Sequence, residues 1–371
     1  MKTIKAGLIG AGPRGRYMFT ELIACPEVEA FGVADVSEEA LELMRKEFEK
    51  QGIDPGKVRY YNDYREMIKD GVEAVFIASG VPLHADMAVT CVRAGVHVLC
   101  EIPIINTLEG ASELLKACRD NPQVTFMTAE NCCYWGFIRK YREMYDQGLL
   151  GDIVIAEGEY LHGEGFIENF DKDHSTIPRT WRSYNPAVVY CTHETGPLFY
   201  ALDDEPVEVT GFIPGFNPAE GYRPAPSNGM LIIKTKKGTL IKITIGFGMH
   251  QPICAHNFLL YGTKGNIQNE RFWKTYEGRV SYAQLRSDPN DGEYIRIPVT
   301  TEMQENIGGG HGGGDRMMMR DFVHSITTGT PPVFDLIKGI QMALPGILGH
   351  QSSMEGSHPI RIPTIEELLD M

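Results

Sequence analysis

The sequence predicts an α/β chain of two domains, a doubly wound parallel sheet followed by an α/β domain with a predominantly antiparallel sheet. Three observations carry this. An apolar run at Leu8 and Ile9 stops in GAGPRG, residues 10–15, and an amphipathic pattern begins at Arg16. Short apolar strands and helical patterns then alternate as far as residue 128. From Asp152 the period changes to alternating β-branched segments. The division falls after residue 131, giving domains 1–131 and 132–371.

The first strand leads into a tight turn and a helix start. Gly10 permits the turn, Gly12 removes a Cβ that would block a pyrophosphate, and Gly15 lets helix and strand pack closely, so backbone N–H groups at the helix N-terminus face a phosphate. A lone GxGxxG is a weak signal. Here Asp35 follows twenty residues after Gly15, at the end of a second apolar strand over 30–34. A carboxylate there accepts both ribose hydroxyls of NAD and repels the extra phosphate of NADP, so NAD is the expected cofactor. Arg14 either reaches a phosphate or points at solvent.

Composition narrows the partners. The 371 residues are 43% hydrophobic, enough to bury a sizeable core, and two domains suit the length. A net charge of −14 opposes attraction to nucleic acid or anionic lipid, which favours a neutral small molecule. Met1 and Lys2 run straight into the first strand, unlike a signal peptide, and no run approaches membrane-spanning length. Eight cysteines show no CxxC pair and no metal-like spacing, as expected of reduced, buried thiols in a cytoplasmic protein.

Next in order come a helix over 38–50, strands over 74–78, 97–100 and 124–128, and helices over 83–94 and 108–119. In such sheets the loops after the strands' carboxyl ends face the ligand. Those loops hold Pro82 and His84, then Glu101, Ile102 and Pro103, then Glu130 and Asn131. His84 either caps its helix or touches the cofactor. Glu101 is placed to accept from a ribose hydroxyl, and Pro103 turns its loop sharply if its peptide bond is cis.

A helix over 137–147 enters the second domain. Strands are expected at 152–160, 207–213, 230–235, 239–246, 255–261 and 294–299, with a hairpin turn at 236–238. The connection 162–190 is long for a compact domain, and its aromatics, Phe166, Phe170, Trp181 and Tyr184, suit a pocket for a polyhydroxylated ring. Core packing is an equal reading for Trp181.

That connection ends in YCTHETGPLFYAL, residues 190–202, where a helix begins near His193. Tyr190 lies three residues earlier, so a helical turn puts both on one face. The positive end of the helix favours a neutral imidazole with a lone pair, a base suited to taking the hydroxyl proton while an alcohol gives hydride to nicotinamide. A core histidine bonded to a carbonyl is the plainer alternative, and Tyr190 either orients the hydroxyl or only packs. GGGHGGGD at 308–315 surrounds His311 with six glycines, as a ligand-hugging lid or as a flexible helix entry. His311 with Asp315 lacks a third ligand at sensible spacing, so no metal is expected.

GAGPRG, Asp35, GVPLH at 80–84, AGVHVLCEIP at 94–103 and the stretch from KYR to GLLGD at 140–152 together resemble the Gfo/Idh/MocA oxidoreductases over nearly the whole chain. The resemblance implies a Rossmann domain, an open-faced α/β domain whose sheet forms oligomer contacts, and activity on sugars or polyols. Most of that family has Glu-Lys-Pro where this chain has Glu101-Ile102-Pro103, so the lysine that polarises the reacting oxygen is missing. AENCCY at 129–134, AEGEYLHG at 156–163, Trp181-Arg182, YCTH at 190–193 and GHGG at 310–313 resemble the branch containing glycoside hydrolase family 109, which also lacks that lysine.

Carried across, the resemblance implies that Pro13, Arg14, Asp35, His84, Glu101, Ile102 and Asn131 line NAD. Tyr160, Arg182, Tyr190 and His193 would face the sugar, with His311 as a further substrate contact. The expected reaction is oxidation of an O- or C-glycoside at the C3 hydroxyl, with His193 as base. A ketone at C3 acidifies the proton on C2, and the C1 substituent then leaves by elimination. A complete NAD-dependent glycosidase would add water and return the hydride, using Tyr190 or His311 as a second acid/base. A third reading is an NAD-binding sensor that has lost the chemistry.

Overall fold

The computed structural model describes residues 3–163, 181–217, 225–249, 255–270, 281–286, 293–298 and 310–371. The chain divides into two compact units, one of Met1–Glu130, Asp315–Ile340 and Thr364–Met371, the other of Asn131–Gly314 and Gln341–Pro363.

In the first unit β1 (Ile4–Ile9), β2 (Val28–Ala34), β3 (Arg59–Tyr61), β4 (Ala74–Ile77), β5 (His97–Cys100) and β6 (Phe126–Thr128) form one parallel sheet ordered β3-β2-β1-β4-β5-β6. β4 is wholly buried and apolar, as a strand covered on both faces must be. The order reverses between β1 and β4, the place where open α/β sheets bind ligands beyond their carboxyl ends. The helices carry ordinary end signals: Ser37 accepts from the Ala40 N–H at the start of α2 (Glu38–Lys50), with Glu38 and Glu39 in its first turn and Lys50 in its last. β3 was not foreseen, since three residues are too few to show a period.

The sequence division assigns residues 315–340 and 364–371 to the second domain, whereas in the structure they group with the first unit. The helix Gly314–Thr328 buries Met318, Met319 and Phe322, and Arg316 pairs with Glu21 of α1 (Pro13–Ile23) at 2.6 Å. Just beyond it, the Phe334 carbonyl accepts from the Thr128 N–H at 2.8 Å. Apolar content alone does not say which core a late helix joins.

The second unit is built on a nine-stranded sheet. Its members are β7 (Ile153–Gly163), β8 (Pro206–Phe212), β9 (Asn228–Thr235), β10 (Leu240–Met249), β11 (Ala255–Gly262), β12 (Gly265–Asn269), β13 (Ser281–Leu285), β14 (Ile295–Ile297) and β15 (Ile360–Arg361), ordered β14-β13-β12-β11-β7-β10-β9-β8-β15. Every pairing is antiparallel except β7 with β10. One face is core, with Val209, Leu231, Ile233, Ile241, Ile243, Phe258 and Leu260 fully buried. On the other face Tyr261, Ile155 and Leu240 sit in register across three strands and are 43%, 41% and 43% exposed.

Seven cysteines are described and all are free thiols; Cys254 lies outside the described residues. Burial pushes the Cys25 thiol up to about 11 and those of Cys91, Cys118 and Cys191 up to about 12. Among the described residues no helix is long and apolar enough to cross a membrane.

Candidate active site

In the first unit the glycine turn is shaped as its spacing predicts. Gly10 has φ +97°, and a Cβ there would lie 2.7 Å from the Ala78 backbone. A Cβ on Gly15 would lie 2.0 Å from the Gly10 carbonyl oxygen. Gly12 differs, because a Cβ there would meet nothing of the protein within 4 Å. Packing therefore does not require glycine at 12, and the open space suits a closely approaching ligand. The first turn of α1 has no side-chain cap, and Pro13 at its start has no N–H to leave unpaired. These residues fit a dinucleotide.

Asp35 closes the same rim. Its Oδ2 accepts from the Ala11 N–H at 2.7 Å and its Oδ1 from the Ser37 N–H at 2.8 Å, so the carboxylate is held rigidly beside the turn. Each oxygen has a second lone pair for a ribose hydroxyl.

Arg14 turns neither to solvent alone nor to an isolated loop. Its Nε donates to Glu101 Oε1 at 2.8 Å, and both terminal nitrogens reach the fully buried Asp315 carboxylate at 3.3 Å. Burial works against the guanidinium charge, but Glu101 and Asp315 outweigh it and raise the pKa above the ordinary value. Glu101 Oε2 also accepts from the Ile102 N–H at 3.3 Å, and the Ile102–Pro103 peptide is cis. The expected ribose-binding carboxylate is thus shared with Arg14.

His84 opens the helix His84–Arg93 without capping it. It is 1% exposed, with Nδ1 2.9 Å from the Pro103 carbonyl and Nε2 3.0 Å from the Ser79 carbonyl, tying together the loops that follow β4 and β5. Burial pushes its pKa below the ordinary imidazole range, the two carbonyls opposing only in part.

The second unit gathers the expected sugar-facing residues. Tyr190 ends a 3₁₀ turn, Ala187–Tyr190, and His193 lies in the first turn of the helix Thr192–Leu202. Their rings meet edge to face at 5.4 Å, so the three-residue spacing does bring them together. Tyr160 on β7 stands edge-on to His193 at 5.3 Å and stacks beside Tyr190 at 6.5 Å. Trp181 lies 6.2 Å from Tyr190. Arg182 is on the short helix Trp181–Tyr184, but its side chain lies outside the described residues, as do Phe166 and Phe170.

His311 has φ +53° and sits in the 3₁₀ turn His311–Gly313, where its carbonyl accepts from Trp135 Nε1 at 3.0 Å. A Cβ on Gly314 would come within 2.9 Å of the Asn131 carbonyl oxygen. The described end of the glycine-rich segment therefore packs against the 3₁₀ turn Asn131–Tyr134 and Trp135.

Three partners of this cluster escaped the sequence reading. Cys132 Sγ lies 3.2 Å from His193 Nδ1. Glu194, fully buried, has its Oε1 2.8 Å from Nδ1 of His256, itself 3% exposed. His256 on β11 is in register with Tyr160 on β7, and the two rings stack at 4.2 Å and 17°. Glu194 was visible only as the neighbour of His193, and the pairing of strands 96 residues apart leaves no local signal.

Residues 4–129 match the family model described as oxidoreductase family, NAD-binding Rossmann fold, of the Gfo/Idh/MocA group. A glycosyl hydrolase family 109 protein of Saccharopolyspora erythraea is 24% identical, the alignment covering 98% of this chain and 83% of the relative. An alpha-N-acetylgalactosaminidase of Shewanella oneidensis is 26% identical, covering 98% and 85%. Levoglucosan dehydrogenase, solved with NADH and levoglucosan, superposes with a TM-score of 0.81 at 20% identity, covering 98% of this chain and all of the other. Over residues 4–129 the chain is thus similar to the Gfo/Idh/MocA oxidoreductase family, whose model describes an NAD-binding Rossmann fold.

Proposed function

We propose that the protein oxidises the C3 hydroxyl of a glycoside to a 3-keto glycoside, with His193 as the base. The observation that carries the reading is the half-buried imidazole in the first turn of a helix, with the rings of Tyr160 and Tyr190 edge-on to it. NAD, when bound, supplies the hydride acceptor. Gly10, Gly12, Pro13 and Gly15 would cradle its pyrophosphate and Asp35 its ribose; Arg14, His84, Glu101, Ile102 and Asn131 would shape the rest of that site. His193 takes the hydroxyl proton, and Tyr190 fixes the hydroxyl's direction. The flat faces of Tyr160 and Trp181 meet sugar C–H groups, with Arg182 and His311 as further polar contacts.

Most of the family that the chain resembles has a lysine, held to polarise the reacting oxygen, at the sequence position of Ile102; without it, proton removal rests on the histidine. His193→Ala is expected to lose turnover by about 10²–10⁴-fold while still binding NAD. Wild-type turnover in that variant would remove His193 from the mechanism.

The names of the family 109 relatives favour a second reading, a complete glycosidase that adds water after elimination and then returns the hydride. Its mark is free aglycone with no net reduction of NAD. In either case we assign the exposed row of Tyr261, Ile155 and Leu240, contiguous across three strands, to contact with a second copy of the chain. The setting is a reducing cytoplasm, which suits the free thiols.

A further inference from the structure

A dinucleotide brings negative charge to the glycine turn, so a carboxylate buried beside that turn weakens binding unless it holds a cation in place. We propose that Asp315 is a positioning residue of the cofactor site, fixing the guanidinium of Arg14 in the orientation that meets the dinucleotide; the inference rests on the placing of Arg14 in the NAD site.

Arg14 is the second residue of α1, directly after Pro13. Its Nε donates to Glu101 Oε1 at 2.8 Å, and its terminal nitrogens each lie 3.3 Å from a different oxygen of Asp315. The planar fork is thus fixed from two sides, which leaves the side chain little rotamer freedom. It is still 30% exposed, so a ligand can reach it.

Asp315 lies in the first turn of the helix Gly314–Thr328. An acid there would favour the helix dipole from the surface just as well. Asp315 is instead fully buried and turns both oxygens to Arg14. Its neighbour Arg316 donates to Glu21 through Nε at 2.6 Å and through a terminal nitrogen at 3.1 Å. Residues 14 and 21 are two turns apart on one face of α1. Two bridges of opposite sense therefore join the helices and hold the Asp315 carboxylate at a fixed place beside α1.

Charge and orientation predict opposite signs for the loss of that carboxylate. By charge alone, neutralising Asp315 takes an anion away from a diphosphate and tightens NAD binding. By orientation, it frees the guanidinium to take other rotamers, and binding must then immobilise it again.

The test is calorimetric titration of NAD into nucleotide-free, full-length protein, with no turnover involved. Asp315→Asn, close in shape, is expected to bind NAD about three- to tenfold more weakly, the cost of ordering one long side chain. Arg14→Gln is expected to lose about tenfold or more, as for a charge-assisted hydrogen bond. Asp315→Asn made in the Arg14→Gln background should add no further loss, whereas a carboxylate that only supports the fold would weaken both backgrounds alike. Arg14→Lys keeps the charge and loses the fork, and it decides the matter if Asp315→Asn does not fold; its affinity is expected to fall at least about threefold.

Unchanged or tighter binding in Asp315→Asn overturns the proposal, as does an equal loss in both backgrounds or wild-type affinity in Arg14→Lys. Wild-type affinity in Arg14→Gln overturns it too, and is told apart from the others because it removes Arg14 itself from the cofactor site.

Discussion

Asp35 shows how one side chain is committed by its surroundings. Two backbone N–H groups hold its carboxylate against the glycine turn, so it cannot swing aside for an extra phosphate. Asp35→Ser is expected to lower the preference for NAD over NADP by at least about tenfold, the equivalent of one charge-assisted hydrogen bond, as dissociation constants for both nucleotides would show. An unchanged ratio would move the discrimination elsewhere. The turn and Asp35 were legible because the signal is local: glycines at fixed spacing and an acid at a strand end. Asp315 was not, since it meets Arg14 across 301 residues and looks in the sequence like a helix-start acid. The ring contact of Tyr190 with His193 was legible from a spacing of three, whereas the stack of Tyr160 on His256 follows from strand register, which the sequence does not display.

The helix Thr192–Leu202 is the element on which the proposed chemistry depends, and among the described residues it is held at three points. Thr195 donates to the Met342 carbonyl at 2.8 Å, Glu194 grips His256 on β11, and Gly158 on β7 makes room for Glu194. A Cβ at 158 would lie 2.8 Å from Glu194 Cβ and 3.0 Å from Ile243 Cδ1. Gly158→Ala is therefore expected to cost about 1–3 kcal/mol of stability by overpacking and to lower kcat through displacement of His193. Thermal melts and steady-state kinetics on the same sample check both, and a variant equal to wild type in each would show that the helix is not pinned at Gly158. β7 and β10 were each legible as strands from alternation, but their parallel pairing at the centre of an otherwise antiparallel sheet was not. Alternation assigns a strand its faces and says nothing about its neighbours.

At the scale of the molecule, burial of histidines sets a pH dependence. Burial lowers the pKa of His84, His97 and His350 below the free value of about 6.5. The unfolded chain then binds protons first as pH falls, so the stability these sites allow is complete above about 6.5 and is lost below it. The melting temperature should hold between pH 8 and 7 and decline toward pH 5.5; a flat profile would contradict the burial of neutral imidazoles. The open sheet face makes a second prediction at this scale. Light scattering should give a multiple of the 41.4 kDa chain mass, and Ile155→Glu with Leu240→Glu should return it to 41.4 kDa. A wild-type monomer would leave that face without the assigned partner. The proposed oxidation of a glycoside at C3 by a histidine base is tested by mixing NAD-loaded protein with a panel of O- and C-glycosides while following nicotinamide absorbance and analysing each product. Accumulating reduced nicotinamide with a 3-keto glycoside is the expected result; free aglycone without net reduction, or no change with any glycoside, would contradict oxidation at C3.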